Sequence, residues 1–148
     1  MREITVLIAD EHTRVAALLA QGLGRAPGFR VLAHTSNPLV AAELAHLMEP
    51  DIILADFERR GDFEVEMYRW LSRAAARSRL VVLTSSLRNG DEQSYRDAGA
   101  VLCLLKGLPR KELAQRLREV AGEHAASPDG MHRRHAAKAV PYRERTAR

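Results

Sequence analysis

The sequence predicts an α/β fold in which one parallel β-sheet carries helices on both faces. Five short apolar runs alternate with five segments that either repeat apolar residues at helical spacing or lie between helix-start and helix-stop residues. The run at 52–55 holds four consecutive apolar residues between two acids, which is too short for a buried helix and typical of a strand covered on both faces. Strictly alternating strands and helices favour right-handed crossovers, so we expect a doubly wound sheet with this run near its centre.

The strands are predicted from apolar, β-branched runs that end in polar residues. In chain order they are expected at 4–9, 29–33, 51–56, 80–83 and 101–105.

Glycine and proline residues mark the predicted helices between these strands. Gly22 and Gly24 are expected to end the first helix, and Pro38 to begin the second. A third helix is expected at about 64–76, with Trp70 as a core residue, and a fourth between Asn89-Gly90 and Gly99. The fifth is expected from Pro109 to Gly122. The apolar stripes that should face the core include Leu18 in the first helix. In the second helix the stripe consists of Leu39, Ala42, Leu44, Leu47 and Met48.

Length and charge fit one domain followed by a basic tail. The chain has 148 residues, 46% of them hydrophobic, and a formal charge of +4. Residues 1–123 contain 17 basic and 17 acidic side chains, whereas 124–148 contain 6 and 2, so the whole excess lies in the tail. The longest early apolar run is too short for a membrane span, and the lone Cys103 excludes an intrachain disulfide. We expect a cytoplasmic protein with a domain at 1–123.

Reactive side chains follow the predicted strands, at the edge where parallel sheets bind ligands. They are Asp10 and Glu11, then Asp56, Thr84 and Lys106. Clustered carboxylates need a cation, and oxygen ligands suit Mg²⁺ together with phosphate oxygens. The pattern therefore predicts a phosphoryl-transfer site in which Asp56 is the nucleophile, Lys106 and Mg²⁺ offset charge, and Thr84 bonds a phosphoryl oxygen. His12 is expected to be a surface residue.

The order of these motifs resembles a bacterial two-component response regulator receiver domain over roughly residues 2–123. Asp10-Glu11, Pro50-Asp51 through Asp56 and Thr84 carry the general resemblance. Ala98-Gly-Ala100 and Leu104-Leu-Lys106-x-x-Pro109 are similar to the NarL/FixJ-like subclass that usually continues into a LuxR-type helix-turn-helix.

The resemblance implies a flavodoxin-like fold with strand order 2-1-3-4-5. It also implies that a sensor histidine kinase phosphorylates Asp56, with Mg²⁺ held by Asp10, Glu11, Asp56 and the backbone carbonyl of Glu58. Thr84 and Cys103 occupy the switch positions. The face formed by the fourth helix, fifth strand and fifth helix would be the output surface, through homodimerisation and in transcription regulation. Its contact residues are expected to be Tyr95, Arg96, Arg110, Arg116 and Arg118.

Several residues depart from the family pattern and support an alternative, a pseudo-receiver that binds proteins without phosphorylation. Glu11 stands where Asp is usual, Arg59 and Arg60 add positive charge beside the pocket, and Cys103 replaces an aromatic ring. Two enzymatic or cofactor-binding classes fit less well. A flavodoxin needs a Ser/Thr-rich phosphate loop after its first strand, and a haloacid-type phosphatase needs Asp-x-Asp there. This sequence has neither.

The segment 124–148 is expected to be a disordered basic tail. It contains a breaker cluster at 127–130 and lacks apolar stripes. Twenty-five residues hold at most two helices of average length, so no complete LuxR-type helix-turn-helix fits. Weak contact with nucleic-acid phosphates is the function that its charge could support.

Overall fold

The computed structural model describes residues 2–57 and 62–126 of the chain. The strands are β1 (Ile4–Asp10), β2 (Phe29–Thr35), β3 (Ile52–Asp56), β4 (Arg79–Thr84) and β5 (Ala100–Leu105). The helices are α1 (Thr13–Gly24), α2 (Pro38–Met48), α3 (Asp62–Ala74), α4 (Asp91–Asp97) and α5 (Arg110–Ala126). All neighbouring strands are parallel, in the order β2-β1-β3-β4-β5. The predicted fold class and strand order are confirmed.

Two apolar clusters cover the two faces of the sheet. Alternate side chains of a strand point to opposite faces, and in β1 Val6 and Ile8 join one cluster while Leu7 and Ala9 join the other. The first cluster packs against α1 and α5, and the second packs against α2, α3 and α4. The central strands are therefore buried on both sides, which explains their continuous apolar sequence.

Helix α2 buries only part of its predicted stripe. Its buried residues are alanines at 41, 42 and 45, and Leu44 packs partly buried against the same cluster. Leu39, Leu47 and Met48 are exposed. Leu18 in α1 is likewise exposed, so the predictions for these four side chains are wrong.

The ends of the helices agree with the predicted breakers except at the last one. Asn37 precedes α2, and its side-chain oxygen accepts hydrogen bonds from the first turn of the helix, as a capping residue does. Helix α5, however, continues through Gly122 to Ala126. A single glycine costs about 1 kcal/mol relative to alanine in a helix, and the good helix formers around it outweigh that cost. The prediction that Gly122 ends α5 is therefore wrong.

Within the described part of the chain, no helix combines the length and apolar character that crossing a membrane requires.

Candidate functional site

The register of the sheet brings the two buried acids face to face. Asp10 and Asp56 are the last paired residues of β1 and β3 and lie directly opposite each other. Two backbone hydrogen bonds extend this alignment beyond the strands: the Glu11 N–H donates to the Asp56 carbonyl (3.2 Å), and the Lys106 N–H donates to the Thr84 carbonyl (2.7 Å). The hydrogen bonds of the sheet therefore set the backbone positions of the five strand-end residues, Asp10, Glu11, Asp56, Thr84 and Lys106.

Lys106 places its ammonium group between the two carboxylates. Its Nζ lies 3.0 Å from Oδ2 of Asp10 and also contacts Oδ2 of Asp56. Asp10 is 1% exposed and Asp56 is 8% exposed, so little water competes for these contacts. The Lys106 ammonium is therefore the counter-charge of both buried carboxylates.

Burial and charge shift the pKa values of this group. Burial is the main reason why the pKa of Asp56 lies above its usual range, and the neighbouring Asp10 charge adds to this, whereas the Lys106 ammonium opposes it. For Lys106, burial alone would lower the pKa, but the hydrogen bonds and charges of Asp56 and Asp10 outweigh it and raise the pKa. Lys106 therefore carries its positive charge at neutral pH.

The two predicted switch residues, Thr84 and Cys103, are both buried. Thr84 is buried, and its hydroxyl donates to the carbonyl of Ser86 at 3.3 Å, within its own loop. Cys103 is buried in β5, and burial raises the pKa of its thiol to about 11. A thiol with that pKa stays protonated at neutral pH and behaves as an apolar core group.

An aromatic stack supports the strand end next to Asp56, and it was not predicted from the sequence. Tyr68 of α3 stacks on Phe57 with ring centroids 4.8 Å apart, and its hydroxyl oxygen accepts the Phe57 N–H at 2.8 Å. Tyr95 of α4 meets Tyr68 edge to face at 5.3 Å and donates its hydroxyl to the Glu64 carboxylate.

Tyr95 is only 1% exposed. Its predicted role as a residue of the output surface is therefore wrong. The tyrosine at this position of a short helix fills the space between α3 and the sheet instead.

The acid pocket also meets the geometric requirement for a divalent cation. One ligand atom each from Asp10, His12 and Asp56 lies within 4.8 Å of the other two. The half-buried Glu11 is described in the structure, but its carboxylate is not part of this group. The two carboxylates of this group are the kind of oxygen ligand that a hard cation such as Mg²⁺ prefers. His12, which the sequence analysis assigned to the surface, is exposed and yet contacts Asp10.

Three residues of the predicted site lie outside the described part of the chain. They are Glu58, whose carbonyl was expected to bind Mg²⁺, and the two arginines that follow it. The predicted tail lies outside it as well, apart from the last turn of α5 at 124–126.

Residues 6–118 match the family described as the response regulator receiver domain. The chain is 30% identical over 115 residues to the transcriptional regulatory protein LiaR of Bacillus subtilis, covering 78% of this chain and 54% of LiaR. It is 29% identical over 117 residues to the nitrate/nitrite response regulator protein NarL of Escherichia coli K12, covering 79% and 54%. The fold matches the receiver domain of a response regulator NarL from Mycobacterium tuberculosis with a TM-score of 0.72, 18% identity and coverage of 82% and 98%.

This chain therefore belongs to the response regulator receiver domain family. It spans about half the length of LiaR and of the Escherichia coli NarL.

Proposed function

We propose that this chain is a receiver that accepts a phosphoryl group on Asp56 from a sensor histidine kinase, in a reaction that depends on Mg²⁺. One observation carries the proposal: the charged Lys106 side chain joins Asp10 and Asp56 in a buried pocket at the carboxyl edge of the sheet. A nucleophilic carboxylate, a second acid and a fixed ammonium are the groups that phosphoryl transfer to an aspartate requires.

In the proposed reaction, an oxygen of Asp56 forms a bond to phosphorus while the bond between phosphorus and the donor breaks. The donor is a phosphohistidine of the kinase or, in an assay, acetyl phosphate, which leaves as acetate. Lys106 offsets the charge on the phosphoryl oxygens and keeps its proton throughout, since its pKa is raised. Mg²⁺, held by Asp10, Glu11, Asp56 and the carbonyl of Glu58, would supply further positive charge at the same oxygens.

The proposed output starts at Thr84. Its hydroxyl must leave the Ser86 carbonyl in order to bond a phosphoryl oxygen, which changes the loop between β4 and α4. Strand β5 is an edge of the sheet, and Leu105 at its end is exposed, as is Arg96 on α4. We propose homodimerisation through α4, β5 and α5 in the control of transcription in the cytoplasm, with weak phosphate contacts from the tail.

Intact mass spectrometry after incubation with acetyl phosphate tests the phosphoacceptor. We expect a gain of one phosphoryl group that requires Mg²⁺ and disappears in Asp56→Asn. Thr84→Ala should keep the gain but weaken the phosphate-dependent dimerisation seen by sedimentation with beryllofluoride. A mass gain that survives in Asp56→Asn would refute the assignment of Asp56.

One observation favours the second candidate, a pseudo-receiver that binds its partners without phosphate. The Glu11 carboxylate lies outside the group of ligand atoms that could hold a cation. If this candidate is correct, saturating Mg²⁺ should yield no mass gain, and partner binding should be the same for the wild type and Asp56→Asn.

A further inference from the structure

We propose that the exposed face of helix α2 binds in the groove between α1 and α5 of a second copy of this chain, so that copies add head to tail. This inference goes beyond the proposed function, because neither surface contains the acid pocket and the contact needs no phosphoryl group.

Helix α2 turns an apolar face to the solvent. Leu39, Val40 and Leu47 are 60%, 39% and 77% exposed. Leu47 follows Val40 by seven positions and Leu39 by eight, so the three side chains lie on one side of the helix. The alanines that pack against the sheet lie on the opposite side. Adjacent exposed side chains of this size are typical of an interaction site.

The groove between α1 and α5 has an apolar lining and a volume of about 770 Å³. Leu19, Leu108 and Leu113 line it, and so does Leu18, which is 55% exposed. Apolar grooves commonly bind the apolar face of an amphipathic helix through side chains about seven positions apart. Val40 and Leu47 have this spacing.

The charges of the two surfaces are complementary. Glu43 lies in the middle of the apolar face of α2, whereas Arg25, Arg110 and Lys111 line the groove. All four side chains are exposed, and within the described part of the chain none of them forms an ion pair. The groove therefore favours an apolar helix that carries acidic side chains, and α2 is such a helix.

The same charges disfavour symmetric contacts. Two α2 faces paired with Leu39 opposite Leu47 would place Glu43 opposite its own copy, and two paired grooves would bring their cations together. Helix α2 covers one face of the sheet and α1 and α5 cover the other. Each copy can therefore bind one neighbour on each side, which allows assemblies larger than a dimer.

Sedimentation velocity of the full chain at increasing concentration, without beryllofluoride, tests the inference. Leu47→Glu alters the α2 face and Leu18→Glu alters the groove, and both positions are exposed. Leu105→Glu, at a leucine of β5 that is 46% exposed, is the matched control. We expect the wild type and the control to form species larger than dimers, and the other two variants to associate at least about tenfold more weakly. Added salt should weaken the wild-type association, because exposed charges are screened.

A mixture of the two variants tests whether the contact is head to tail. Leu18→Glu retains the α2 face and Leu47→Glu retains the groove, so we expect a heterodimer of wild-type affinity that does not grow further. Dimers formed by either variant alone would indicate a symmetric contact and overturn the inference. A wild type that is monomeric at every concentration would also overturn it.

A third outcome separates the inference from the proposed output. If association requires beryllofluoride and is lost in Leu105→Glu, the inference is wrong and the proposed dimer through α4, β5 and α5 stands.

Discussion

Replacing Lys106 with methionine tests the electrostatics of the pocket, because it removes the ammonium and retains most of the side-chain length. At 3.0 Å and an effective dielectric constant of about 20, the attraction between Nζ and Oδ2 of Asp10 is roughly 5 kcal/mol before desolvation. Breaking a buried ion pair by removing one partner costs about 3–5 kcal/mol. The Lys106 side chain is 21% exposed, so we expect a loss of about 2–4 kcal/mol at neutral pH.

The loss should depend on pH in a defined direction. In the wild type the pKa of Asp56 is already raised by burial, and removal of the ammonium takes away the contribution that lowers it. A group with a raised folded-state pKa favours the fold when protonated, and this contribution is lost as the pH rises through that pKa. The difference in stability between wild type and Lys106→Met should therefore be largest near pH 7 and shrink as the pH falls toward the raised pKa of Asp56.

Urea unfolding at several pH values measures this difference. A loss of about 3 kcal/mol corresponds to a melting midpoint lower by roughly 10 °C in a domain of this size. Lys111→Met, which changes an exposed lysine of α5, is the matched control and should have little effect. Adding Asp56→Asn to Lys106→Met should restore part of the lost stability, since it removes one of the two repelling charges. A loss that is the same at every pH would refute the reasoning.

Three further changes probe parts of the structure outside the ion pair. Tyr68→Phe removes the acceptor of the buried Phe57 N–H and should cost about 1–3 kcal/mol in urea unfolding. Asp51→Asn should cost about 1–3 kcal/mol near neutral pH and nothing at low pH. Burial would raise the pKa of the Asp51 carboxyl, but its hydrogen bonds from β1 outweigh burial and lower the pKa. The contribution of Asp51 to stability is therefore lost as the pH falls. Gly99→Ala should lower the melting midpoint, because φ is +119° and the new Cβ would lie 2.2 Å from Oγ of Ser72.

Two of these variants have a matched control. Tyr142→Phe lies outside the described residues and carries the same chemical change as Tyr68→Phe. Gly24→Ala introduces a Cβ with nothing within 4 Å and should leave the stability unchanged or raise it. An Asp51→Asn effect that does not decrease as the pH falls below the usual Asp pKa, or a Gly99→Ala protein as stable as the wild type, would contradict the corresponding argument.

The sequence predicted the sheet and its strand-end residues because both depend on simple patterns. Fully apolar runs mark strands buried on both faces, and the carboxyl ends of parallel strands always meet at one edge. Asp10, Asp56 and Lys106 could therefore be brought together without knowing any distance.

The burial of particular helix positions could not be predicted in this way. Periodicity does not say whether leucine or alanine faces the sheet in α2, since that depends on how closely the helix packs. The burial of Tyr95 depends on its edge-to-face contact with Tyr68 and on the Glu64 carboxylate, which both lie on another helix. His12 was assigned to the surface because a single histidine has no partner in the sequence, although its place two residues after Asp10 was the available indication.

The alignment of Asp10 opposite Asp56 also determines when the pocket can form during folding. Asp10 and Asp56 are 46 positions apart in the sequence, and Asp56 and Lys106 are 50 positions apart. Contacts between such distant parts of a chain form slowly. If β1 and β3 pair before β5 docks, the carboxylates of Asp10 and Asp56 face each other without a counter-charge. Lys106, which follows β5, supplies that charge when β5 docks. An ion that binds only the complete sheet adds about 1.4 kcal/mol to stability at ten times its Kd. Cation-dependent refolding rates would thus report on the docking of the last strand.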